Sequence, residues 1–425
     1  MTNILIIGGG SREHALCWKV KQSPRIGSLY VAPGNPGTAA LAENVPIGAM
    51  EFDKLTDFAQ EKKIGLTIIG PDDPLGAGIV DVFQKRGLRV LGPTKAAAQI
   101  ESSKAFAKQL MKEAGIPTAE FGVFKEYEQA LDYVRAKSAP IVVKASGLAL
   151  GKGVYVCKTV EEAEQGLKEI MLDKQFGDSG SEVVIEEFLD GQEISIHALC
   201  DGENFMLFPS SQDHKQIGEG DTGPNTGGMG VIAPVPWVAA EMMQEIGAKI
   251  VRPTLDALAA KGTPFVGILY PGLKMTSSGP KVLEFNARFG QPECEAYMRL
   301  LKTDLLDMCD AAIDGEVDSL SIEWNSGFAV SIMLASGGYP GEYKKGLSIT
   351  GIEEAEKKRD VVIFHTGITN ISGLRNQYIT AGGRVLAVSA VGDTLKEARE
   401  RAYAAADVIK FEGKYLRRDV GAKAL

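Results

Sequence analysis

One stretch limits what this chain can fold into more than any other: Ile141-Val142-Val143-Lys144-Ala145-Ser146-Gly147-Leu148-Ala149-Leu150-Gly151-Lys152-Gly153-Val154. Its first half is a short apolar run of the kind that forms a buried strand. A lysine at the end of such a run is expensive to bury unless it meets an anion, and a glycine loop with a second lysine follows. Some 140 residues on comes Lys281-Val282-Leu283-Glu284-Phe285-Asn286-Ala287-Arg288-Phe289-Gly290. Alternate residues of a strand share a face. Glu284, Asn286 and Arg288 are therefore expected to point one way, and Leu283, Phe285 and Ala287 into a core. Hard oxygen ligands beside a cation, facing a lysine-bearing glycine loop, are what metal-bound nucleotide phosphates require.

A chain of 425 residues is too long for one core and should divide into roughly two to four domains. Its net charge of −9 argues against nucleic acid or an anionic membrane as partner, since both demand a clustered basic excess. Any anion must be met by a few placed cations and backbone N–H groups. The five cysteines form no CxxC and there are only four histidines, so zinc spacing is absent. Reduced thiols in a cytoplasmic protein are expected. No run reaches transmembrane length, and the apolar residues 4–7 are too few for a signal peptide.

Strand-like runs at 4–7, 29–32, 66–69 and 89–91 alternate with helical segments, which predicts a parallel sheet with helices on both faces. Turn signals close these strands at Pro33-Gly34-Asn35-Pro36-Gly37, Gly70-Pro71-Asp72-Asp73-Pro74 and Gly92-Pro93-Thr94, where ligands of such sheets bind. Gly8-x-Gly10 opens like a dinucleotide fingerprint, but Glu13 stands where its third glycine belongs and no acidic residue ends the second strand. A nicotinamide cofactor is thereby disfavoured, although the helix start beside Gly10 could still hold a phosphate. The 147–153 loop is not a Walker A, because Gly153 follows Gly151-Lys152, and kinase signatures are missing. Residues 101–116 read as one amphipathic helix carrying a second cation, Lys104. A smaller α/β unit should hold strands near 141–145, 154–157 and 183–187. The last of these ends in Glu186, Glu187 and Leu189, where backbone could pair with a base edge while Glu193 holds ribose hydroxyls. Residues 209–236 form a polar stretch with six glycines from Gly218 to Gly230, read as a lid loop. A helix over 238–262, a hairpin of 265–275 with 281–286, strands at 328–334, 361–365 and 384–391, and a helix over 394–409 complete the chain.

This order of elements resembles the ATP-grasp superfamily. Longer strings narrow the resemblance: Arg12-Glu13-His14-Ala15, Val31-Ala32-Pro33-Gly34-Asn35, Ser103-Lys104-Ala105-Phe106, Ser211-Gln212-Asp213-His214-Lys215, Asp221-Thr222-Gly223-Pro224-Asn225-Thr226-Gly227-Gly228-Met229-Gly230 and Gly337-Gly338-Tyr339-Pro340-Gly341. From residue 3 to about 420 the chain is similar to the phosphoribosylamine–glycine ligase (glycinamide ribonucleotide synthetase) family. The resemblance implies an α/β architecture in three parts: a Rossmann-like domain over 1–102, an ATP-grasp domain over 103–327 with a small subdomain over about 119–190, and a mixed domain over 328–425. It implies an ATP-dependent carbon–nitrogen ligase of purine biosynthesis that joins glycine to 5-phosphoribosylamine through glycyl phosphate.

The same resemblance implies the site residues. ATP would meet Lys104, Lys144, Gly151, Gly153, Glu186, Glu187, Leu189 and Glu193. Glu284 and Asn286 would hold Mg²⁺ or Mn²⁺, and Arg288, Lys215 and Asp213 would serve the chemistry. The remaining substrates would meet Gly10, Arg12, Gly34, Asp72, Asn225, Thr226, Gly227, Gly228, Lys345 and Arg384, with Lys344 beside them. Only small molecules are implied as partners, and the chain would be a monomer or weak homodimer. It departs from the family pattern at Ser146, Leu150 and Pro271, and at Gln291, Cys294 and Glu295, just past the metal strand. That last cluster keeps two alternatives open: a ligase for another carboxylate, or a catalytically silent nucleotide-binding module.

Overall fold

Thr2–Gly8 carries Ile4, Leu5, Ile6 and Ile7, all fully buried, through the middle of a parallel sheet. The strand order is Glu43–Asn44, Ile26–Pro33, Thr2–Gly8, Ile64–Ile69, Val90–Leu91. Ile4 and Ile6 pack with Leu16, Cys17 and Val20 of the helix Ser11–Val20. Leu5 and Ile7 pack on the other face with Leu55, Ala59, Val80 and Phe83. Both faces are thus covered, as an all-parallel sheet requires. The computed structural model describes residues 1–149, 153–371 and 377–425. Among them no helix is long and apolar enough to cross a membrane.

Three further sheets frame a cleft. Phe121–Phe124, Val183–Glu187, Ile141–Ala145 and Val154–Cys157 form a four-stranded antiparallel sheet. Val266–Thr276 pairs with Gly279–Asn286 and also with Gln192–Ser195 and Ala198–Asp201. The last large sheet runs Gln212–Asp213, Gly230–Ala233, Phe328–Ala335, Arg384–Gly392, Val361–His365. It takes two short strands from before residue 327 into the sheet of the C-terminal segment.

Four local expectations change. The helix read over 101–116 is two, Gln99–Ser102 and Lys104–Glu113. Ser103 between them is extended, and its hydroxyl caps the second helix by accepting from the Phe106 N–H at 3.2 Å. The 238–262 helix runs Ala240–Ile246, Gly247–Val251, Arg252–Ala260, with a π-helical turn in the middle. Leu283 faces the cleft and not the core. Glu284 pairs with Gly272 and Val282 with Leu273, so Leu283 is the extra residue of a bulge, which resets the alternation. The stretch read as a lid holds a hairpin, Gln216–Gly218 with Thr222–Asn225, and the strand Gly230–Ala233.

The turn before Ser11–Val20 is filled by the protein's own carboxylate. Glu13 accepts from the Gly10 N–H at 2.6 Å and from Arg12 Nε at 2.6 Å. A Cβ at Gly70 would stand 2.0 Å from Glu13 Oε1, so residue 70 has room only for glycine. We expect Gly70→Ala to lose on the order of 1–3 kcal/mol of stability through overpacking, read as a lower urea midpoint. An unchanged midpoint would mean that Glu13 is free to move aside.

Candidate active site

A cleft of about 650 Å³ lies where these sheets meet. One wall is cationic. Glu186 is almost wholly buried and sits between two lysines, Lys144 Nζ at 2.9 Å from Oε1 and Lys108 Nζ at 2.9 Å from Oε2. Lys144 also donates to the Leu283 carbonyl at 3.2 Å, and Lys108 to Thr118 Oγ1 at 2.7 Å. Burial pulls the Lys108 pKa down to about 8, with Glu186 opposing. Lys104 donates to the Gly147 carbonyl at 3.1 Å, and burial lowers its pKa too. Sequence reasoning named Lys104 and Lys144 but missed Lys108, which lies one helical turn after Lys104 and shares its face. Glu186, expected to contribute at the strand's end, is the counterion of two lysines. Glu187 pairs with Lys281 at 3.1 Å and Glu193 with Lys274 at 3.3 Å. Both line the cleft, as do Gly153 and the apolar Val142, Leu148, Val154 and Leu189. Gly151 lies outside the described residues.

On the opposite wall Glu284, Asn286 and Arg288 all face the cleft. Burial works against the Glu284 charge, but Lys215, Lys104 and Lys144 outweigh it and hold its pKa below the ordinary range. Asn286 Oδ1 accepts from Arg288 Nη2 at 3.1 Å. Arg288 pairs with Glu101 at 2.9 Å and lies 3.8 Å from Asp72. Burial raises Glu101 to about 7, with Arg288 opposing. Burial also opposes the Asp72 charge, but Arg288 and Arg12 hold its pKa low. Among the described residues no group of three or more His, Cys, Asp or Glu side chains could hold a metal ion. Glu284 and Asn286 offer two hard oxygens, which suits a cation that completes its shell with water and phosphate oxygens.

Beyond Glu284 the cleft ends in a small polar cavity of about 30 Å³, lined by Ser195, Asp213, Lys215, Tyr270 and Glu284 among others. Asp213 and Lys215 are 3.0 Å apart. Tyr270 Oη donates to Glu293 Oε1 at 2.6 Å, and Ser195 Oγ donates to the same oxygen at 3.0 Å. Burial pushes the Asp213 carboxyl up, whereas Glu293 is held down by Lys215 and His197 against its burial. Ser195 and Tyr270 carry no sequence signal, because nothing near them in the chain is unusual. Next to this cavity the Thr226 N–H and Oγ1 both donate to the Lys215 carbonyl at 2.8 Å, and Thr226 Oγ1 accepts from the Gly228 N–H at 2.9 Å. Gly228 has φ +105, and a Cβ there would stand 2.7 Å from Asp213 Oδ1. Arg384 donates to the Gly227 carbonyl and to the Gln291 carbonyl, the latter at 3.2 Å.

The residues expected around a sugar phosphate are only partly brought together. Arg12, Asp72, Asn225, Thr226, Gly227 and Arg384 line the cleft. Gly10, Gly34 and Gly228 are not among its lining residues, and the Gly10 N–H is already given to Glu13. Lys345 is exposed, 5.9 Å above the Tyr343 ring, and does not line the cleft; nor does the exposed Lys344. Tyr339 stands there instead, and its Oη accepts from the Gly227 N–H at 3.3 Å.

Residues 102–294 match the phosphoribosylglycinamide synthetase ATP-grasp (A) domain, 2–101 the N domain and 329–423 the C domain of the same synthetase. The chain belongs to the phosphoribosylglycinamide synthetase family. It is 50% identical to the phosphoribosylamine–glycine ligase of Pasteurella multocida over 426 residues, 100% of this chain and 98% of that protein. The crystal structure of the phosphoribosylamine–glycine ligase from Thermotoga maritima superposes with a TM-score of 0.84 at 33% identity, covering 98% of this chain and 100% of that one. A biotin carboxylase domain from Hydrogenobacter thermophilus, solved with MgADP, gives a TM-score of 0.72 at 15% identity over 97% of this chain and 91% of that chain, a likeness of fold alone.

Within this synthetase family the departures in sequence acquire places. Ser146 Oγ accepts from the Ala105 N–H at 3.1 Å and reaches Glu182 at 3.1 Å, so it ties the glycine loop to the Lys104 helix. Of Gln291, Cys294 and Glu295, only Gln291 lines the cleft, where its amide donates to Ser11 Oγ at 2.6 Å. Cys294 and Glu295 are fully buried behind it.

The Lys108 pKa of about 8 lies below the ordinary 10.5. Between those values the unfolded chain keeps a proton that the folded chain has released, so this group makes stability rise with pH across that window. Replacing Lys108 by Met should flatten the rise of the urea midpoint between pH 8 and 10.5 relative to the parent protein. Identical slopes in the two proteins would show that Lys108 stays charged.

Proposed function

We propose that this chain joins glycine to 5-phosphoribosylamine with ATP, giving glycinamide ribonucleotide, ADP and phosphate. It is an ATP-dependent carbon–nitrogen ligase of purine biosynthesis. The observation that carries this reading is the order of charges along one cleft: lysines, then Glu284 with Asn286, then Arg288, then a small pocket of both signs. A carboxylate is a poor electrophile. Activation requires a phosphoryl donor, a metal-bearing strand and a seat for a small zwitterion in line with one another.

The base would lie among Val142, Leu148, Val154 and Leu189, with Glu193 at the ribose and Lys104 and Lys144 on the phosphates. A magnesium or manganese ion held by Glu284 and Asn286 would supply charge neutralisation at the phosphates. Glycine fits the pocket of Ser195, Asp213, Lys215 and Tyr270, its carboxylate toward Lys215 and Arg288 and its ammonium toward Asp213. A glycine carboxylate oxygen attacks the γ-phosphorus and the bond to ADP breaks. The ribosylamine nitrogen then attacks the acyl carbon, loses a proton, and phosphate leaves. Both steps depend mainly on positioning and on charge stabilisation by Arg288. Arg12, Asp72, Arg384 and the Asn225-Thr226-Gly227 turn face the sugar phosphate. The acyl phosphate must be kept from water. That closure falls to the small unit around 119–190, since the hairpin over 216–225 is tied down; residues 150–152 of the 147–153 loop lie outside the described residues. We place the enzyme in the cytoplasm, as a monomer or weak homodimer working on small molecules; the net charge of −9 supports neither nucleic acid nor membrane as partner.

The test is phosphate release from Mg-ATP with glycine, with and without phosphoribosylamine generated from ribose 5-phosphate and ammonia. Release should require both, and Glu284→Ala should abolish it. Tyr270→Phe removes a hydroxyl that lines this pocket and holds Glu293. A hydrogen bond to a charged group is worth about 1.5–3 kcal/mol, and since this one orders the pocket without being made to glycine, KM for glycine should rise by up to roughly tenfold. Release that ignores glycine but responds to another carboxylic acid would overturn the reading and point to Gln291 as the mark of a changed acceptor.

A further inference from the structure

The hairpin Gln216–Gly218 with Thr222–Asn225 leaves the cleft at Lys215 and returns to it at Asn225. Its outer end meets the last residues of the chain. Arg417 has a fully buried side chain. Its Nη1 donates to the Gln216 carbonyl at 3.0 Å, and its Nη2 bonds Asp221 at 2.9 Å and Asp419 at 2.7 Å. Tyr415 Oη donates to the Ile217 carbonyl at 2.8 Å, and the Gly220 N–H donates to Asp419 Oδ2 at 2.8 Å. Lys423 forms a further ion pair with Asp221. One more link reaches deeper. The Gly421 N–H donates to His214 Nε2 at 3.1 Å, so the ring proton sits on Nδ1, which faces the Gly230 carbonyl at 3.0 Å. His214 stands between Asp213 and Lys215. Burial holds its pKa down to about 4, so the acceptor nitrogen persists at neutral pH.

The tail is anchored on its other side. Tyr415 and Ala335 exchange backbone hydrogen bonds of 2.8 and 2.9 Å. Tyr403 Oη donates to the Arg417 carbonyl at 2.9 Å, and Arg399 Nε donates to the Val420 carbonyl at 2.6 Å. No residue from 415 to 423 lines the cleft. The segment is therefore a strap between the C-terminal sheet and a hairpin whose two ends carry site residues. A buried guanidinium shared by two carboxylates allows little slack, because breaking it strands a buried charge.

We propose that the 415–423 strap is a positioning element, with Arg417 its positioning residue. It sets the depth at which Lys215 and the Asn225-Thr226-Gly227 turn enter the acceptor end of the cleft, and leaves the ATP end untouched. This rests on the ligase reading above. In the full-length protein, Arg417→Gln should raise KM for glycine and for phosphoribosylamine about tenfold while KM for ATP stays at the parent value, and Arg417→Lys should recover part of the loss. Hydrogen exchange should quicken over residues 213–228 but not over 141–145 or 281–288. Should Arg417→Gln fail to fold, Asp221→Ala removes the ion pairs of the half-exposed hairpin side with Arg417 and Lys423 and should give the same split in smaller measure. Equal changes in all three KM values, or lower stability with unchanged KM values and unchanged exchange at 213–228, would overturn the proposal. Parent protein that turns over without glycine would instead sink the ligase reading, while the exchange experiment still decides the strap.

Discussion

Glu186 takes Lys144 from one side and Lys108 from the other, and the nucleotide end of the cleft depends on that arrangement. Lys108 comes from the helix Lys104–Glu113, Lys144 from the strand Ile141–Ala145 and Glu186 from Val183–Glu187. A charge buried without a partner costs several kcal/mol, so the three elements hold one another in register. Lys104 stands beside this group and donates to the Gly147 carbonyl, which adds a third cation to the wall. The local excess of positive charge is what an incoming polyphosphate would neutralise.

The other half of the site obeys the same rule with the signs reversed. Glu284 keeps its charge because Lys215, Lys104 and Lys144 face it across the cleft. Arg288 is met by Glu101 from the preceding helix and by Asp72 from a turn of the N-terminal sheet. Regions far apart in the chain each contribute one half of an ion pair, and the cleft exists only where the halves meet. That dependence separates the two ends of the site chemically: a cationic wall for phosphates, and a mixed-sign pocket in which burial raises Asp213 against the pull of Lys215, while Lys215, His197 and the Tyr270 hydrogen bond hold Glu293 down.

Closure and rigidity divide along the same line. The glycine-rich stretch near residue 220 has the composition of a lid, yet Arg417, Tyr415 and Asp419 hold it to the C-terminal sheet. Its glycines serve different ends: Gly220 turns the hairpin at φ +67 with open space around it, whereas Gly228 admits no Cβ against Asp213. The small four-stranded unit meets the rest of the protein through the Lys108–Glu186–Lys144 group, the Glu187–Lys281 pair and the bonds of Ser146 and Gly147 to the Lys104 helix.

Local sequence determined what local physics controls. Apolar runs marked the strands, their alternation with helices marked a parallel sheet, and Lys144, Glu284, Asn286 and Arg288 stood out because such residues are costly in a strand. Lys108 escaped notice because its partner lies in another element. Leu283 was expected in the core because alternation encodes a face only while register is unbroken, and a bulge broke it. Ser103 ended one helix and began the next within what reads as a single amphipathic period. Lys345 had the right charge in the wrong place, since position relative to a cleft is not a property of composition. Tyr270, Ser195 and Arg417 act through contacts with distant segments. Which residues are unusual is written along the chain. Which of them meet is decided by burial, where the free energy of pairing buried charges and filling space depends on separation in three dimensions and not on distance in sequence.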